Sequence, residues 1–398
     1  MGKLKRRKAP ASDHLQKFCE REVSKQTPVM SYTTVPSLPV EGNSLTRRIS
    51  SPALRGGVLA FLAAALFGFS TPLVQHFGLG VGAFTTASLL YAGAAVVAIV
   101  MRSPPELEAS LQSSDFPRIA AMAGFGAVIG PVALAWGLQR TSGSSASLML
   151  TLEALFTASL AWILYGETMD LRVITAMLFL LAGGVALVLE QGMRGDAQLS
   201  GLLSVLIATI AWGIDNTISR DVADRDPGQV VLAKATLGAA ATAVIALLYG
   251  EPTPALTAAV ALLLIGATGY GLSLRLYLLA QREFGAGRTG SVFAFAPFIG
   301  ALGALAFGGH KGTWMLVLGG ALMMVGVVLH LYETHEHDHD HEELNHEHAH
   351  SHDDGHHFHK HDIMPVGQHN HAHKHEPFSH QHPHVPDAHH LHSHPISQ

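Results

Sequence analysis

Between Arg55 and Tyr332 the chain alternates long apolar runs with short polar breaks. The runs fall at about 56–75, 82–101, 117–137, 144–165, 171–190, 199–219, 229–249, 256–280, 287–307 and 312–332. Each holds roughly 20 residues, the length a helix needs to cross a hydrocarbon core of about 30 Å. The breaks hold turn formers and charges: "SPPELEASLQSSD", "YGETMD", "QGMRGDAQ", "DRDPGQ", "YGEPTPA" and "GGHKG". Lipid offers backbone N–H and C=O groups no partner, so each run is expected to satisfy its own bonds as a helix. The pattern predicts an all-α integral membrane protein of about ten transmembrane helices.

The pattern also repeats. "LAAALFGFSTPLVQ" (Leu62–Gln75) lies over "IATIAWGIDNTISR" (Ile207–Arg220), with Gly68 on Gly213. "LTLEALFTASLAWILYGE", ending at Glu167, lies over "FAFAPFIGALGALAFGGH", ending at His310, which puts Glu153 on Ala296. "LFLLAGGVALVL" then lies over "LGGALMMVGVVLHL", with Gly183 on Gly326. Five helices per copy is an odd number, so the second copy must insert upside down. Inverted repeats of this kind build secondary transporters, with the binding site near the midplane. The expected organisation is a disordered N-terminal extension (1–54), a first repeat (55–191), a second repeat (198–332) and a disordered C-terminal tail (333–398).

Composition sharpens this. Hydrophobic residues make up 48% of the 398 and charged residues only 14%, against about 25% charged in soluble proteins. Mean hydropathy is +0.28. The one cysteine, Cys19, excludes an internal disulfide and a thiolate metal cluster. Lys and Arg set the orientation. With the N-terminus inside, internal loops hold Arg102, Arg118, Arg172, Arg220, Arg225, Arg282 and Arg288; external loops hold Arg140, Arg194 and Lys311. Ten crossings return the chain to its starting side, so both termini are expected to be cytoplasmic, in an inner (plasma) membrane. The N-terminal extension has no apolar core before Gly56, so it does not read as a signal peptide.

Two five-helix repeats, the "FG" and "WG" of each first helix, "SLMLTLEALFTASLAWILYGE" in the fourth and glycine pairs in the fifth resemble the EamA family of the drug/metabolite transporter superfamily. The resemblance covers about 56–332. The family's fourth helix usually carries a Glu-Pro pair; here Glu153 precedes Ala154, while Pro297 follows Ala296. The resemblance implies a proton- or gradient-driven carrier of small solutes. It includes a branch associated with nickel and cobalt resistance.

Charged groups inside a membrane are costly and tend to line pathways. Glu153 falls near the middle of the fourth run; Asp215, Lys234 and Arg275 fall in the cytoplasmic halves of the sixth, seventh and eighth. The last three read either as a static ion-pair cluster or as a cytoplasmic gate. Glu153 reads as a solute or proton site, or as a helix-packing hydrogen bond. Ser147, Thr151 and Thr71 would offer oxygens to a divalent ion. Trp136, Trp162 and Trp314 read as interfacial anchors. No nucleophile–base pair or phosphate loop is present, so an enzyme is not expected.

The tail is the remaining signal. From His335 onward lie 23 of the 27 histidines, many as His-x-His: "HEHDHDH", "HEHAHSH", "HNHAHKH". Alternate residues of an extended chain share a side, and imidazole suits Ni, Co, Zn and Cu(II). The candidate metal ligands are His335, His337, His339, His341, His346, His348, His350, His352, His356, His357, His359 and His361. No cofactor is expected beyond such ions. Two functions fit: efflux of Ni2+ or Co2+ with a tail that captures the ion, or export of amino acids or other small metabolites with a tail that senses or buffers metal. The expected partners are the bilayer, a small solute or metal ion and a second copy as a homodimer, with no nucleic acid.

Overall fold

The computed structural model describes residues 52–101, 109–165, 171–222, 225–284, 286–307 and 313–331, with tail segments 338–341, 344–350, 369–375 and 378–381. The N-terminal unit, Met1–Arg48, lies outside the described residues. Among the described residues ten helical spans follow one another. Helix 1 is Pro52–Phe77 and helix 2 Ala83–Val100. Helix 3 spans Ser113–Leu138 and helix 4 Gly143–Leu164. Helix 5 is Leu171–Arg194, helix 6 Asp196–Ser219 and helix 7 Pro227–Leu248. Helix 8 spans Leu256–Gln281. Helix 9 comes in two pieces, Ala286–Phe293 and Ala296–Ala306, and helix 10 is Trp314–Leu331. Helices 1 to 8 are long and apolar enough to cross a membrane, while 9 and 10 supply shorter apolar helices. All ten expected spans are therefore present.

The irregular helices prove the repeat. Helix 3 widens to a π-helix over Ala123–Ile129, and helix 8 does so over Gly266–Leu272. Helix 4 breaks after Gly143–Met149 and resumes at Leu152; helix 9 breaks after Ala286–Phe293 and resumes at Ala296. Ala123 and Gly266, Gly143 and Ala286, and Leu171 and Trp314 are each 143 positions apart. Proline does not explain these features in both copies. Pro131 follows the π segment of helix 3, yet helix 8 has none there, and Pro297 follows the break in helix 9, yet helix 4 has Ala154. What both π segments share is a glycine pressed on a facing helix. A Cβ at Gly126 would lie 2.2 Å from Asp215 of helix 6, and one at Gly269 would lie 2.5 Å from Ser70 of helix 1.

Packing obeys the same twofold relation. Helix 1 packs on helices 8 and 9, and helix 6 packs on helices 3 and 4. Helices 2 and 7 pack on each other, as do helices 5 and 10. Association in lipid depends on close fit, so backbones approach at small residues. Gly68 faces the Ala296 carbonyl of helix 9, where a Cβ would lie at 2.4 Å; its counterpart Gly213 faces Phe156 of helix 4, at 2.8 Å. Gly183 faces the Gly319 carbonyl at 2.7 Å, and its counterpart Gly326 faces the Ala176 carbonyl at 2.8 Å. The alignments of Gly68 with Gly213 and of Gly183 with Gly326 thus correspond to equivalent contacts. Phe61, Leu178 and Val317 are exposed, as lipid-facing residues should be.

Among the described residues, side-chain ties across loops join helix ends that alternate crossing puts on one face. At the face where even-numbered helices end, Arg118 Nε donates to Asp221 (3.0 Å) and Arg225 Nε to Asp115 (3.0 Å). At the opposite face Glu251 accepts from the backbone N–H groups of Phe84 (3.1 Å) and Thr85 (2.7 Å), capping helix 2. There too Gln75 Nε2 donates to the carbonyls of Leu138 and Thr141, both at 3.0 Å, and Thr313 Oγ1 donates to Glu190. In the tail, Leu344–His350 pairs antiparallel with His369–His375, and Asp338–His341 with Phe378–Gln381.

Candidate functional site

Helix 6 carries "WGID", and its register sends Trp212 and Asp215 toward helix 3. The Asp215 carboxylate forms an ion pair with Lys234 Nζ of helix 7, and both side chains are buried. Glycine at position 126 is what admits the carboxylate. The Gly126 carbonyl, inside the π segment, accepts from Tyr91 OH of helix 2 and from Trp212 Nε1 (3.0 Å). A π segment frees a carbonyl from the i→i−4 ladder, and here two aromatic donors occupy one. The second oxygen of Asp215, Oδ1, has no hydrogen-bond partner. The pair is therefore held on one oxygen and leaves the other available.

Glu153 is the second residue of the second piece of helix 4. The break is a tight turn: Thr151 N–H donates to Leu148 (3.0 Å) and Glu153 N–H to Leu150 (3.0 Å). Its carboxylate accepts from Asn216 Nδ2 of helix 6 at 2.5 Å. It also lies within electrostatic reach of Asp215 and Lys234, and of Tyr277 of helix 8. Glu153 and Asn216 keep accessible surface, as do Phe67, Tyr277 and Phe293. Tyr277 and Phe293 meet edge-on at 5.0 Å, and Phe293 and Phe67 lie 5.5 Å apart. Phe67 in turn touches Trp212 and Tyr270, each at 5.8 Å. A partly buried carboxylate and amide thus lie beside a chain of ring contacts among the helices. Ser147 and Thr151 flank the break, buried and with hydroxyls unpartnered; Thr71 is buried on helix 1.

Of the four charged residues expected on a pathway, the fold brings together three. Glu153 of helix 4 and Lys234 of helix 7 bond to Asn216 and Asp215 of helix 6, whereas Arg275 donates to the carbonyl of Met101 at the end of helix 2. Of Asp215, Lys234 and Arg275, read as a static ion-pair cluster or a cytoplasmic gate, Asp215 and Lys234 form an ion pair. Arg275 lies on helix 8, which packs on helices 1 and 2. Glu153, read as a solute or proton site or as a helix-packing hydrogen bond, accepts from Asn216 of the neighbouring helix. Asn216 is a polar residue in an apolar run beside Asp215 and was open to detection. Tyr91 and Trp212 carried no signal separating them from interfacial aromatics. Trp162 and Trp314 are exposed near helix ends, and Trp136 carries the Arg140 guanidinium 3.7 Å above its ring.

Among the described residues no group of three or more His, Cys, Asp or Glu side chains is placed to hold a metal ion. His335, His337, His352, His356, His357, His359 and His361 lie outside the described residues; His339, His341, His346, His348 and His350 lie on the tail strands.

Ten helices in two inverted repeats, meeting at an interior polar site, define a multi-pass membrane transporter built on a twofold plan. The profile of the EamA-like transporter family matches residues 54–189 and 199–332, one match per repeat, and the chain belongs to that family. It is similar to a protein of Methanothermobacter thermautotrophicus named as an uncharacterized transporter, with 24% identity over 294 residues, 69% of this chain and 86% of the other. A solved protein crystal structure shares the fold with a TM-score of 0.54 and 20% identity, covering 70% of this chain and 98% of the other.

Proposed function

We propose that this transporter carries a small organic solute bearing an amine, amino acids included, bound at the break of helix 4. The observation that supports this is the accessible Glu153 carboxylate beside Asn216 and the rings of Tyr277, Phe293 and Phe67. A carboxylate and aromatic faces are the complementary surface for an organic ammonium group. Asp215, the residue before Asn216, carries the Lys234 ion pair and offers its unpartnered Oδ1 to a second charge on the solute or to a coupling proton. Transport is gradient-driven, out of a cell whose inner membrane the chain spans with both termini in the cytoplasm. Protein reconstituted in liposomes would be assayed for counterflow of labelled amino acids and amines. Wild type should exchange at least one of them, and Glu153→Gln, folded by size-exclusion chromatography, should lose that exchange. Exchange unaffected by Glu153→Gln overturns the assignment.

The histidine tail favours a second reading, efflux of Ni2+ or Co2+. The tail would capture the ion in the cytoplasm and raise its concentration at the inner mouth, where Glu153, Ser147, Thr151 and Thr71 would supply oxygen ligands. Cellular Ni and Co content would be compared among full-length, tail-deleted and Glu153→Gln forms. Equal content in all three removes this reading. Chemical crosslinking in native membranes tests the homodimer.

A further inference from the structure

Helices 2 and 7 begin on opposite faces, and the start of each is bound by the segment that leads into another helix. On one face Asp226 is the N-cap of helix 7, and its N–H donates to the Ala109 carbonyl at 2.7 Å. Gln229, in the first turn, accepts from the Leu111 N–H at 3.0 Å. Ala109 and Leu111 lie just ahead of helix 3. On the other face Gly82 precedes helix 2, and the N–H groups of Phe84 and Thr85 donate to Glu251, just ahead of helix 8. Gly82 and Asp226 are 144 positions apart, as are Thr85 and Gln229, so the repeat makes the two clasps equivalent. Their chemistry differs. The Asp226 face adds the ion pairs Arg118–Asp221 and Arg225–Asp115, beside a buried apolar cluster of Ile119, Met122, Val222 and Val230. The Glu251 face adds amide ties: Gln75 to the carbonyls of Leu138 and Thr141, and Gln139 Nε2 to that of Val81 at 2.9 Å.

Both helices reach the interior polar groups about two turns further on. Helix 2 does so through Tyr91, which donates to the Gly126 carbonyl, and helix 7 through Lys234, which pairs with Asp215. Ser88 Oγ of helix 2 donates to the Ala239 carbonyl of helix 7 (3.1 Å), tying the two together. Both clasps are made in this structure. A solute needs one of them open, and both open at once would leak. Inverted repeats answer this by exchanging conformations, so that equivalent contacts on opposite faces are made in turn. We propose that the two clasps are the alternating gates of this transporter, locked by ion pairs at the Asp226 face and by Glu251 hydrogen bonds at the other. The Asp226 gate then responds to ionic strength, because Arg118 and Asp221 are 47% and 36% exposed and solvent ions screen them.

Thr86 and Val230, again 144 positions apart, are buried in the first turns of helices 2 and 7 and report on the two gates. In a Cys19→Ser background of the full-length protein in detergent, Thr86→Cys and Val230→Cys would each be labelled with a water-soluble maleimide. Adding Asp115→Asn/Asp221→Asn should raise the labelling rate at Val230→Cys about five- to tenfold and lower it at Thr86→Cys. Glu251→Ala should do the reverse, and combining the two sets should return the ratio of rates toward its starting value. Salt tests the same gate with no substitution in it. Raising NaCl from about 0.05 to about 0.5 M should move the two rates in opposite senses by about twofold, up at Val230→Cys. Local fraying gives another pattern: each change raises only its own reporter, and the combined variant raises both. That pattern, or rates that rise together or stay flat with salt, overturns the alternating gates.

Discussion

Adding one methyl group at Gly126 should cripple the site. Its backbone adopts no positive φ, so alanine fits the local conformation. In an open helix the change would stabilise by about 0.8–1.0 kcal/mol. Here the new Cβ would sit 2.2 Å from Asp215 Oδ2 and 2.4 Å from its Cγ, more than 1 Å inside van der Waals contact. The carboxylate must move by roughly that amount, and the oxygen struck, Oδ2, is the one paired with Lys234. Separating a buried ion pair costs about 3–5 kcal/mol, which outweighs the helix gain several-fold. Gly126→Ala should therefore destabilise by about 2–4 kcal/mol net. The same change in an Asp215→Ala/Lys234→Met background should be neutral or stabilising, because nothing remains for the methyl to strike. Thermal unfolding of the four proteins in one detergent closes the cycle, with counterflow read alongside. Equal shifts in the two backgrounds would refute the claim that glycine is there to admit the carboxylate.

Removing one member of the pair should be worse than removing both: Lys234→Met or Asp215→Asn alone leaves a buried group uncompensated at about 3–5 kcal/mol, and the double change should recover most of that in the same unfolding assay. Gly183→Leu should separate helices 5 and 10, since a Cβ there already lies 2.5 Å from Met323 Cγ; a normal melting temperature would contradict the crossing. Glu251→Ala uncaps helix 2 and should cost about 0.5–2 kcal/mol, visible as faster amide hydrogen exchange at Phe84 and Thr85. Metal binding by the tail should fall steeply between about pH 7.5 and 5.5, as imidazoles of ordinary pKa near 6.5 take up protons; binding unchanged at about pH 5 would show that other groups are the ligands.

What the sequence determined by itself was the solvent each segment prefers. Apolar runs of membrane length, short polar breaks and an odd count per repeat required ten crossings in two inverted halves. The alignment of Gly68 with Gly213 needed no coordinates, because small residues mark where backbones meet. Glu153, Asp215 and Lys234 were legible as costly charges in lipid. Their pairing was legible in part: Asp215 and Lys234 were read together, and Asn216 stood open to detection beside them. Arg275 sits at a suitable depth yet donates to the Met101 carbonyl at the end of helix 2, and depth is all that a one-dimensional charge pattern reports. The π segments and the breaks in helices 4 and 9 also escaped the sequence. Hydropathy does not distinguish 3.6 residues per turn from a wider helix, and proline marks each only in one copy. Tertiary structure decided them: the facing helix presses Asp215 or Ser70 against a glycine, and the freed Gly126 carbonyl finds Tyr91 and Trp212. Azimuth around a helix axis and contact across the repeat interface are three-dimensional quantities, and these two selected which polar groups form the site.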